Sequence, residues 1–170
     1  MPAPPRLRHI IHREVPAVRI FRLAGRLLKA DRRTLLVYSE ACLYLGWARI
    51  LLLLPFARTA SSLGARSEVT SDSCEHPQAD TIRSISRALG SVSRRTPWQS
   101  ECLVRAVAGM KMLERRGISS TLYLGTGKDR SGAFIAHAWL RSGPYYLTGA
   151  DVMNRFVVVE TFANRGNRPT

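Results

Sequence analysis

A thiol that is to act as a nucleophile needs surroundings that favour the thiolate and a base to take its proton. The chain has three cysteines, and Cys102 is the best placed. It falls in the first or second turn of a helix read from the spacing of Leu103, Ala106, Val107, Met110 and Leu113. Unpaired amides and the helix dipole favour an anion there. The alternative is a small buried hydrophobe. His137 stands in the strand-like segment Ala133–Leu140, on one face with Ile135 and Trp139. It is either a satisfied core group or the base for Cys102. A cysteine at a helix start, followed by a histidine on a strand, is the chain order of cysteine acyl-transfer enzymes.

Two further residues complete the candidate set. Asp151 follows the segment Tyr145–Thr148, which would pair beside the histidine strand. Its carboxylate would fix the imidazole tautomer, or it is simply a turn residue. Gln99, three residues before Cys102, would either donate to an oxyanion or close a capping box that starts at Thr96. Cys42 reads as core. Cys74, Glu75 and His76 lack a second ligand pair, so no zinc site is expected. Gly125-Thr126-Gly127-Lys128 lacks phosphate-loop spacing, and no dinucleotide fingerprint is present. No cofactor is therefore expected.

The elements that must position these residues read as follows. Ile10–Leu28 is an arginine-rich helix broken at Pro16. Asp31 caps a second helix that runs to Leu54 and ends at Pro55. Residues 57–80 are small and polar, a loop. Thr81–Leu89 is a short helix. The cysteine helix starts from Thr96 or Ser100 and stops at Gly117. Strands follow at Thr121–Gly125, Ala133–Leu140, Tyr145–Thr148 and Phe156–Phe162, with turns at 127–132 and Gly143-Pro144. This gives a basic N-terminal subdomain (1–66), a linker (67–80), an α+β core (81–163) and a disordered tail (164–170).

Length and composition set the outer limits. At 170 residues with 45% hydrophobic and 22% charged residues, the chain is a folded domain. Its odd cysteine count excludes a disulfide scaffold and fits a reducing, cytoplasmic compartment. The N-terminus lacks the apolar run of a secretory signal. Leu35–Phe56 is long enough to span a bilayer, but Glu40 and Arg49 lie on opposite faces of it, so a packed helix is the better reading. The net charge of +14 favours an anionic partner. A basic nucleic-acid- or anionic-membrane-binding protein with structural Cys and His is thus the alternative class. The lack of aromatics interleaved with the basic residues argues against nucleic acid. The basic half also allows a weak membrane-surface association.

Taken together, Cys102-Leu103-Val104-Arg105-Ala106, Leu113-Glu114-Arg115-Arg116-Gly117-Ile118, Ala136-His137-Ala138-Trp139-Leu140-Arg141, and Thr148-Gly149 with Phe156-Val157-Val158-Val159 and Phe162 resemble the lasso peptide biosynthesis B proteins. The resemblance covers roughly residues 80–163. It implies a transglutaminase-like, papain-related fold in which the cysteine helix packs on an antiparallel sheet. It implies a cysteine protease that removes the leader from a ribosomally made precursor, so that a cyclase can close the lasso ring. Cys102 matches the nucleophile and His137 the general base. Where relatives carry an acidic residue about a dozen positions after the histidine, this chain has Gly149; Asp151 is the nearest carboxylate. A shifted turn, or a backbone carbonyl in the carboxylate's place, would then orient the imidazole. The chain resembles the stand-alone protease form, which implies a separate leader-recognition protein as partner, and no metal.

Overall fold

The computed structural model describes residues 31–73, 76–96 and 101–166. The chain divides into two compact units, Met1–Leu35 and Leu36–Thr170. Of the first, the described part is the entry to helix α1 (Arg32–Leu51). Asp31 caps it: its Oδ1 accepts from the Arg33 amide at 3.2 Å and its carbonyl from Leu35. The helix gives way to tighter turns at Leu52–Leu54, before Pro55.

The second unit is α+β. Short helix α2 (Phe56–Ala60) and strand β1 (Ala65–Arg66) lead to α3 (His76–Ser93) and α4 (Cys102–Glu114). Then come β2 (Ser120–Lys128), β3 (Phe134–Ser142), β4 (Tyr145–Thr148), a 3-10 helix (Ala150–Arg155) and β5 (Val157–Asn164). The five strands form one antiparallel sheet in the order β1-β5-β2-β3-β4. The strands expected at 121–125, 133–140, 145–148 and 156–162 are present as β2 to β5, and the helices expected after Asp31, at Thr81–Leu89 and at Cys102 are present. The expected loop 57–80 instead holds α2, β1 and the start of α3, and β5 runs into the expected tail at Asn164. The helix expected at Ile10–Leu28 lies outside the described residues.

α3 begins well before Thr81 because its apolar stripe does. Ala79, Ile82, Ile85, Ala88 and Leu89 are all buried, and Pro77 is tolerated in a first turn. The cysteine helix begins later than Thr96. Its N-cap is Glu101, while Thr96 Oγ1 donates to the Ser93 carbonyl at 3.2 Å, finishing α3. Gly117 (φ 66°) ends α4, and the Ile118 amide returns to the Leu113 carbonyl at 3.1 Å. β1 and the 3-10 helix carried no sequence signal: one is two residues long, the other has no buried residue.

The core lies between the helices and one face of the sheet. Leu45 of α1, Ile82, Ile85 and Leu89 of α3, Met110 and Leu113 of α4, Leu122, Leu140 and Phe162 of the sheet are fully buried within it. Each such side chain contributes roughly 1.5–3 kcal/mol. On the other face a polar network pins the 67–73 segment. Buried Arg141 donates to the Tyr123 hydroxyl (3.0 Å), the Gly143 carbonyl (3.0 Å), the Thr70 carbonyl (2.8 Å) and Asp72.

α1 is apolar on two sides but buried on one. Ala41, Leu45 and Ala48 are covered, whereas Leu36, Leu43 and Ile50 stand 68–74% exposed. Cys42, read as core, is exposed on this helix. The reason is rotational: one residue past Ala41 is a turn of about 100° away from the covered stripe. No helix among the described residues is long and apolar enough to cross a membrane.

Candidate active site

Cys102 is the first residue of α4, in the turn whose amides have no intrahelical partner. The side chain of its N-cap, Glu101, makes no capping bond; it lies 3.7 Å from Arg49. The amides at this end are therefore left to other acceptors. Cys102 is half-buried and packs on the edge of the core.

The level of the thiol along the sheet follows from one close contact. α4 turns tightly at Gly117 into β2, so β2 runs back along the helix. A Cβ on Gly109 would come within 2.9 Å of Leu140 Cδ2, so Gly109 and Leu140 are level. From Gly109 back to Cys102 is about 10 Å of helix, and from Leu140 back to His137 is about 10 Å of strand. Cys102 and His137 thus stand at the same end of the helix–sheet pair. They are not joined by a hydrogen bond among the described residues. Strand alternation places the imidazole in the Val158–Gly125–His137 row, on the face of Trp139 and Tyr123, while Leu140 and Ala138 point to α4.

The imidazole is held firmly. Its Nε2 lies 2.9 Å from the Gly149 carbonyl oxygen. A carbonyl only accepts, so Nε2 carries the proton and the lone pair is on Nδ1. The Phe156 ring packs over the imidazole (centroids 4.9 Å, 29°), and Trp139 lies at 6.0 Å. Trp139 in turn stacks on Tyr123 at 5.5 Å. Half-buried between these rings, the imidazole has little freedom to turn.

The other two candidates sit differently. Asp151 is exposed in the first turn of the 3-10 helix, and no hydrogen bond joins its carboxylate to His137. Gln99, with Cys74, lies outside the described residues. Phe156 escaped the sequence reading: it opens the segment Phe156–Phe162 as an ordinary strand apolar residue, and only the 3-10 helix before it swings its ring onto the histidine. Among the described residues no three His, Cys, Asp or Glu side chains gather as metal ligands.

This arrangement offers a half-buried thiol at a helix start, donor amides beside it and a tautomer-fixed base at the same end of the sheet. Those are the parts of acyl transfer to a cysteine. No curated protein and no solved structure matches the chain. A family model, the transglutaminase-like superfamily, matches residues 41–161, a span that contains α4, most of the sheet, Cys102, His137 and Asp151. The chain belongs to the transglutaminase-like superfamily.

Proposed function

We propose that the protein is a cysteine peptidase that removes the leader from a ribosomally made lasso peptide precursor. The observation that carries this is the pairing of levels: a helix-start thiol and an imidazole with Nδ1 free as a base, at one end of the sheet of a transglutaminase-like chain. The lasso assignment rests on the Cys102-to-Ala106, Ala136-to-Arg141 and Phe156-to-Phe162 motifs.

In this mechanism His137 Nδ1 takes the Cys102 proton, and the thiolate attacks the carbonyl at the leader–core junction. Backbone amides at the start of α4 donate hydrogen bonds to the developing oxyanion, with Gln99 near them in sequence. The carbon–nitrogen bond breaks, and the imidazolium gives its proton to the departing amine of the core peptide. Water, deprotonated by His137, then cleaves the leader thioester and restores the thiol. The free α-amine released is the group a ring-forming cyclase needs. A separate recognition protein delivers the leader in the cytoplasm.

The test mixes the purified chain, the precursor and the recognition protein, then follows mass loss by mass spectrometry. Omitting each component in turn reads partner dependence. Cys102→Ala is expected to abolish leader removal; a wild-type rate in that variant overturns the assignment. Adding a primary amine separates hydrolysis from acyl transfer by the partition of the thioester: a leader returned chiefly as the free acid marks the hydrolase, and one returned chiefly as the amide marks the transferase.

A further inference from the structure

Among the described residues no carboxylate is hydrogen-bonded to His137, and Asp151, the nearest in sequence after it, is exposed. We propose that the carbonyl oxygen of Gly149 is the positioning group that holds the Nε2–H of His137 and leaves the Nδ1 lone pair free to act as the base. The inference rests on the peptidase reading of Cys102 and His137.

Three observations meet here. The Nε2–oxygen distance is 2.9 Å, a full hydrogen bond. Gly149 has φ +73°, a conformation that L side chains rarely adopt. It is also hemmed in: a Cβ on this residue would lie 2.5 Å from the Ala138 carbonyl oxygen and 2.9 Å from His137 Nε2 itself. Glycine is thus the residue that lets the backbone turn this tightly against the ring. The turn is backed by β4, whose Thr148 pairs with Leu140, and by the 3-10 helix that delivers Phe156 onto the imidazole. The carbonyl is fixed by backbone on both sides, whereas the Asp151 carboxylate is free in solvent. A carbonyl has no titration of its own, so it holds the ring equally well in acid, where a carboxylate would let go.

The experiment uses the full chain labelled with 15N-histidine, with the His137 signals assigned by their loss in His137→Gln. Long-range 1H–15N correlation at pH 8 reads the tautomer. The rate of Cys102 alkylation by iodoacetamide, followed against pH, reads thiol activation. The expected result is a fixed Nε2–H tautomer in the wild type and in Asp151→Asn. Alkylation in Asp151→Asn should stay within about twofold at every pH, and in Gly149→Ala it should slow by about tenfold or more with loss of the fixed tautomer. A mixed tautomer in the wild type, or a tenfold loss in Asp151→Asn, overturns the proposal. Should Gly149→Ala fail to fold, the wild-type and Asp151→Asn spectra decide alone. The tautomer is read without substrate, so it stands apart from the fate of the peptidase reading, which Cys102→Ala decides.

Discussion

The same three strands behave as two different materials along their length. At one end Leu122, Leu140 and Phe162 are fully buried under α3 and α4. At the other end Phe134 is 81% exposed, and Val157, Val158 and Val159 all face water. The switch falls between Leu124 and Gly125, where the β2–β5 register shifts, and between His137 and Ala138 on β3. His137 and Cys102 lie on this border, both half-buried. The buried end supplies stability and rigidity; the border leaves Cys102 and His137 half-buried and reachable. The lesson is that α4 does two jobs with its two ends. Its body closes the core, and its first turn projects to where the core stops.

That contrast can be broken in order of effect. Removing the imidazole by His137→Ala should lower leader removal by several orders of magnitude, checked by the mass-loss assay. Its melting temperature should fall little, because the residue is at the border and not in the core. Leu140→Ala should do the reverse, costing about 3 kcal/mol of stability, measured by urea unfolding, because the space it leaves is walled by α4. Phe134→Ser, six residues away on the same strand, should change stability by about 0.5 kcal/mol or less. Equal effects from the last two would erase the distinction between the ends.

The smallest expected effect concerns the edge strand β1. Glu160 accepts from Arg66, the Thr161 amide and Ser67, and the Arg66 guanidinium above all holds its carboxyl below the ordinary 4.5. A lowered folded value means that its contribution is present above pH 4.5 and fades as the pH falls through the folded value. Hydrogen exchange should therefore loosen β1 selectively in that acid range, and Glu160→Gln should remove the pH dependence. Asp129 behaves alike in the β2–β3 turn, where Ser131 and the amides of Ser131, Ala133 and Gly132 lower its value.

Much of this was legible in the chain. The period of Leu103, Ala106, Val107, Met110 and Leu113 declared α4, Gly117 its end, and the alternation through Ala133–Leu140 the histidine strand with Trp139 beside the ring. Other features were not. The start of α4 was hidden because Thr96, a good cap by type, finishes the preceding helix instead. The exposed stripe of α1 was hidden because Leu36, Leu43 and Ile50 look like core residues; only the packing of Ala41, Leu45 and Ala48 shows which side is covered. Cys42 was misread for the same reason.

The sequence by itself determined the longer helices and the strands β2 to β5, their order and a cysteine and a histidine of candidate chemistry, because side-chain periodicity and turn residues act locally. The tertiary structure alone decided what lies across from what. It set Gly109 against Leu140, and so put Cys102 level with His137. It also brought the Gly149 carbonyl, with no side chain to announce it, within 2.9 Å of the imidazole. Backbone groups are the same at every position, so no pattern of residues marks the one that a fold will use.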